Sequence, residues 1–177
     1  MNAAFNSSFI EGETQTYRLE DTTSRAFKLL VQWLYFEKLR LQQFDGDLDP
    51  CRVSGIAEDK ALVEVWVLAD KLCMPRLQNE ALKAFDAIRE KTCMASIQCL
   101  SYAYHSTPSG SLLRKYCVQD VYQRYSSGLI KQASEDIPRD LLIDLATLHA
   151  EESEDAGDIK LSSFLVPEEE RSKSDPK

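Results

Sequence analysis

The chain of 177 residues has a formal charge of −8, with 44% hydrophobic and 28% charged residues. That balance suits one soluble globular unit with a buried core. No apolar stretch approaches the roughly 18 to 20 residues that span a bilayer, the opening MNAAFNSSFIEGE lacks the basic start and apolar centre of a secretory leader, and no basic face exists to neutralise phosphates. Neither a membrane nor a nucleic acid is therefore expected as partner, and the expected location is cytoplasm or nucleus.

Residues 14–21, TQTYRLED, alternate, with Tyr17 and Leu19 on one face and Thr16 and Arg18 on the other. This predicts a short strand, which needs a partner to satisfy its backbone. DTTSRAF then offers capping side chains ahead of an apolar-periodic run, so a helix is expected over 24–37. Phe27, Leu30, Val31 and Leu34 form its stripe, flanked by Ala26, Leu29 and Trp33. An apolar arc so wide predicts burial on more than one side.

Gly46, Pro50 and Gly55 interrupt the charged stretch 38–60, which reads as an exposed loop insertion. Beyond it, Val65, Leu68, Ala69 and Leu72 repeat at helical spacing, and Leu77, Ala81, Leu82 and Phe85 take the pattern up after Pro75. An interior proline costs a helix about 3 kcal/mol, whereas one at a first helical position costs almost nothing. Two helices, 60–73 and 75–91, are therefore expected with hardly any loop between them. Further helical stretches follow: CMASIQCLSYAY and SGSLLRKYCVQDVYQRYSS, separated by the turn-rich HSTPSG, then PRDLLIDLATLHAEE. Residues 151–177 carry nine acids against four bases, −5 of the total charge, and surround a small apolar island at 164–166. That composition predicts a disordered acidic tail.

Catalytic and metal constellations are not apparent in the sequence. The five cysteines (Cys51, Cys73, Cys93, Cys99, Cys117) form no CxxC pair, and His105 and His149 are the only histidines. Reduced, structural thiols are expected, with Cys73 and Cys117 acting as small hydrophobes within helical patterns. His105 belongs to a Pro/Gly turn without a GxSxG elbow, and His149 to a helix C-terminus, which favours an imidazolium. Asp45, Asp47 and Asp49 alternate but do not match a calcium loop. Trp33 and Trp66 are expected in the core. No cofactor is expected and the chain does not read as an enzyme.

Three segments together resemble one family. FNSSFIEGETQTYRLEDTTSRAFKLLVQWLY looks like the middle of a BTB/POZ domain, and ALVEVWVLADKLCMPRLQNEAL looks like its closing helical hairpin. The stretch EGETQTYRLEDTTSRAF and the longer C-terminal helices are more specifically similar to BTB proteins of filamentous fungi. The resemblance implies a mostly α fold, an α+β remnant with one short strand, a helical hairpin and additional C-terminal helices. It places a partial BTB/POZ domain at 1–91, a helical extension at 92–150 and the tail at 151–177. It also implies that the family's first strands and dimerisation helices are missing, since Ala4-Phe5 matches a point midway through the domain. Leu19, Phe27, Leu30, Val31, Leu34, Val65, Leu68, Leu72, Pro75, Leu77 and Phe85 would then form the core, and Leu34→Asp or Leu72→Asp would each unfold it.

By the same resemblance Phe9, Ile10 and Glu11 occupy the place of a hydrophobic-x-Glu triplet by which some BTB domains engage cullin-type ubiquitin-ligase scaffolds. The expected function is a non-enzymatic protein-interaction module, homotypic or heterotypic, whose partner is another BTB chain or a cullin-type scaffold. The alternatives are a substrate adaptor of such a ligase, a helical scaffold whose 94–150 region binds the partner, and an enzyme of unrecognised type.

Overall fold

The computed structural model describes residues 19, 22–41, 53–92, 97–133, 135–151 and 160–167. Among them are seven α-helices and no strand: α1 (Ser24–Phe36), α2 (Val53–Lys71), α3 (Pro75–Thr92), α4 (Ile97–Ser106), α5 (Leu112–Arg124), α6 (Ser127–Gln132) and α7 (Arg139–Glu151), followed by a 3-10 turn at Leu161–Phe164. None of these helices is long and apolar enough to cross a membrane. The chain is mostly helical. The expected strand at 14–21 lies outside the described residues except for Leu19, which belongs to no regular element and packs half-buried against the core.

Helix α2 is the axis of the molecule, with α1, α3 and α4 all packed on it. Every residue from Ala61 to Ala69 is buried, as a helix apolar around its circumference must be. Two of its acids are buried with partners from α1: Glu58 accepts from Arg25 Nη2 at 3.1 Å, and Glu64 accepts from the Thr23 hydroxyl. Thr23 is also the N-cap of α1, its side chain accepting from the Ala26 N–H. One threonine thus closes the end of α1 and ties it to α2.

The α2–α3 junction explains the interrupted helical pattern. The Met74 N–H reaches the Ala69 carbonyl (2.8 Å) and the Cys73 N–H the Asp70 carbonyl (3.0 Å). This pair of bonds is a Schellman closure, which places the residue after the cap in the left-handed region; Cys73 sits there at φ 54°. Pro75 then opens α3, where an N–H is not required. The two arms bury Val65, Leu68, Leu77, Ala81, Leu82 and Phe85 between and around them, at roughly 1.5 to 3 kcal/mol for each large side chain.

Farther along the chain, Gly110 takes φ 81° at the third position of the turn closed by the Ser111 N–H and the Pro108 carbonyl (3.2 Å). Ser111 caps α5. Arg114 folds back to donate to the Tyr104 and Thr107 carbonyls at the end of α4, its guanidinium 4.7 Å from the centre of the Tyr104 ring. A cation there satisfies carbonyls that the helix leaves without partners. The Tyr104 hydroxyl in turn donates to Asp144 of α7 (2.8 Å). Buried side chains from Ala26 to Leu141 form one continuous cluster.

Three expectations are corrected. Residues 53–60 are not loop but the first turns of α2, and Glu58 and Asp59 are buried there. Gly55 lowers the apparent helical signal, and the tie from Glu58 to Arg25 of α1 leaves no mark on the local pattern. Cys73 is not a buried small hydrophobe but the exposed residue of the Schellman closure, whereas Cys99 and Cys117 are buried. Part of the tail is docked, with Leu161 and Phe164 packed against the core. The rest of the 38–60 and 151–177 stretches lies outside the described residues, apart from residues 38–41 and Glu151.

Candidate interaction surface

Helix α1 determines which apolar groups meet solvent. Ala26, Leu29, Leu30 and Trp33 make the i, i+3, i+4, i+7 pattern of one helix face and are buried against α2. Phe27 and Leu34 lie on the other edge of the apolar arc, 44% and 54% exposed, and Tyr35 and Phe36 are 79% and 63% exposed. Phe27 and Leu34 are therefore not core residues, contrary to expectation, and Val31 is only half-buried. The true buried face is the expected flank. An apolar arc covering most of a helix contains two equally spaced stripes, and periodicity alone does not choose between them.

The last turn of α1 is held in place by several contacts. Glu37 takes a left-handed conformation and its N–H closes on the Trp33 carbonyl (2.8 Å). Its carboxylate lies 3.6 Å from Arg76 at the start of α3. Arg40 lies 5.8 Å from the centre of the Phe36 ring. Between this turn and the α2–α3 junction runs a groove of about 750 Å³, floored by Trp33, Met74 and Leu77 and bordered by Leu34, Cys73 and Val166. A second cleft, of about 440 Å³, lies between α5 and α7, with Arg114, Val118, Asp144, Leu148 and Phe164 on its walls.

Residues 160–167 separate the two. Asn79, on α3 and 2% exposed, engages the backbone of Val166 at both ends: its Nδ2 donates to the Val166 carbonyl (3.0 Å), and its Oδ1 accepts from the Val166 N–H (2.7 Å). The Phe164 ring meets the buried Tyr116 ring edge-on at 5.8 Å, and Tyr116 meets Phe85 at 6.0 Å.

Titratable groups in the interior are arranged as struts. Arg89 (α3) donates Nε and Nη2 to Asp120 Oδ2 (α5), and the other Asp120 oxygen lies 3.1 Å from Arg124 Nε. The Tyr116 hydroxyl donates to Asp86 (2.6 Å). Burial, with help from nearby carboxylates, pushes the Tyr104 and Tyr116 hydroxyls upward, and the Cys117 thiol rises chiefly by burial. A thiol so held is a poor nucleophile. Asp59 rises to about 6 because it is buried, Arg89 opposing and Glu58 assisting the shift. His105 is exposed in the last turn of α4, and His149, exposed in the last turn of α7, meets the Tyr122 ring edge-on at 6.0 Å. No three metal-ligating side chains converge among the described residues.

The expected site residues Phe9, Ile10 and Glu11 lie outside the described residues. Leu30, Val65, Leu68, Leu77 and Phe85 are buried, while Leu72 and Pro75 are half-buried at the hairpin turn. Sequence reasoning missed Asn79, Arg89 and Asp120. Arg89 carried a usable signal, since it continues the spacing of Ala81, Leu82 and Phe85 along the buried face of α3. Asn79 carried none, because its partner is 87 residues away. No protein-family model, curated protein or solved structure matches the chain.

Proposed function

We propose that the chain is a non-enzymatic protein-interaction module of BTB/POZ type, acting in cytoplasm or nucleus and associating through the exposed C-terminal turn of α1. The observation that carries the reading is that Phe27, Leu34, Tyr35 and Phe36, four large apolar side chains of one helix, are each at least 44% exposed, the last three consecutive at its C-terminal end. Contiguous exposed apolar surface beyond a few hundred Å² is uncommon on monomers and marks contact surfaces. Aromatic residues are the side chains that most often supply the binding energy at such surfaces. The groove beside Leu34 extends the apolar face toward the α2–α3 turn. The family assignment and the cullin-adaptor form of this function rest on the sequence resemblance, the latter on Phe9, Ile10 and Glu11.

The test is the light-scattering mass of residues 1–177 over a tenfold concentration range, with circular dichroism alongside. Wild-type protein is expected to associate as concentration rises, and a Tyr35→Glu/Phe36→Glu double variant to keep its helical spectrum while remaining monomeric. Association unchanged by the double variant would move the interface off α1. A wild-type monomer throughout would overturn the homotypic form.

A further inference from the structure

We propose that the trough between α3 and α5 is a recognition site for short apolar peptides, held in the folded chain by its own segment 160–167. The asymmetry between floor and occupant points to this. The floor belongs to the packed helices: with the segment in place Asn79 is 2% exposed and Tyr116 and Leu77 are fully covered, and Tyr116 and Leu77 are part of the continuous core. The occupant is not: Lys160, Ser162, Ser163 and Pro167 are exposed, and Leu161, Phe164, Leu165 and Val166 are only half-buried.

The mode of contact is that of peptide recognition. Asn79 reads the backbone N–H and C=O of one residue, as a neighbouring strand would, and so selects extended chain rather than a particular side chain. Selectivity comes from two positions earlier, where Phe164 packs edge-on against Tyr116. The ligand class is therefore an apolar segment of the pattern Phe-x-Val, the Phe ending a 3-10 turn and the chain after it extended. The chain's own copy is Phe164-Leu165-Val166. Because Phe164 lines the α5–α7 cleft and Val166 with Pro167 lines the groove beside α1, the segment divides two cavities. Its departure would open one trough running from the α1 surface to α7. The inference stands without the BTB reading, since it rests on contacts within the folded chain and not on the resemblance.

The test uses full-length protein and a fluorescent peptide of residues 158–169, with a scrambled peptide as control. Phe164→Asp removes the anchoring ring from the resident segment without altering the floor. This variant is expected to bind the peptide saturably, and wild type at least about tenfold more weakly, the ratio set by how seldom the trough is vacant. The scrambled peptide should bind neither protein. Equal binding to both proteins, or binding to neither, overturns the proposal. Hydrogen exchange on unaltered protein provides a second measurement. The Val166 amide is expected to exchange through local opening, far faster than the Leu82 and Phe85 amides. Exchange of Val166 only with the core would make the segment an integral element and overturn it independently.

Discussion

Arg89 and Asp120 meet in the interior from positions 31 residues apart, Nε 3.1 Å from Oδ2, with neither side chain more than 1% exposed. The pair joins α3 to α5, and Arg124 extends it to Asp86 at 3.7 Å. Burying two charges gives back most of what their attraction gains, so such a pair adds little net stability. Removing one partner is different, because it strands the other charge. Asp120→Asn is expected to destabilise the fold by about 3 to 5 kcal/mol. The double variant Arg89→Met/Asp120→Leu should recover most of that loss. Urea midpoints for the three proteins decide the matter, and a double variant as unstable as the single one would show that the pair has no charge-based role.

Asp59 predicts how stability varies with pH. Its carboxyl is 4% exposed, its Oδ1 accepts no hydrogen bond, and burial raises it from 3.8 to about 6. The native state therefore binds this proton more tightly than the unfolded chain does. The group costs nothing below about pH 4, costs progressively more between 4 and 6, and costs at most about 3 kcal/mol above that window. Asp59→Asn is expected to melt above wild type at pH 7.5, with the advantage gone near pH 4. Thermal melts at both values check it, and a pH-independent difference would refute the assignment.

The two edges of the α1 arc predict opposite outcomes for one kind of change. Leu30 is buried against α2, and Leu30→Asp places an unpaired charge there at a cost of several kcal/mol. Leu34→Asp, at a half-exposed position, should shift stability by no more than about 0.5 kcal/mol. The sequence pattern on its own ranks both positions as core. Denaturant midpoints separate the two descriptions.

Cys73 occupies a left-handed position at φ 54° that L side chains rarely adopt. Glycine fits there without a Cβ penalty. Cys73→Gly is expected to stabilise the protein by about 0.5 to 1 kcal/mol. A loss of stability in equilibrium unfolding would mean that the thiol makes a contact worth more than the strain it causes.

Local chemistry alone determined the helical hairpin about Pro75, because a proline excludes a continuous helix and tolerates only a first turn, whatever surrounds it. The capped start of α1 at Thr23 was legible for the same reason: capping involves neighbours in sequence. The buried stripe Leu77, Ala81, Leu82 and Phe85 was legible from its spacing. Other features were decided only by the tertiary structure. Which edge of α1 faces inward depends on where α2 lies, and the burial of Glu58 in the first turns of α2 depends on Arg25 of α1. The spacing of Arg89 puts it on the buried stripe, but what neutralises it there is decided only when Asp120 arrives from another helix. Asn79 and Val166 find each other across 87 residues, and spacing along a chain contains no record of a partner so distant. Periodicity records the face a residue belongs to; only the assembled helices decide what that face meets.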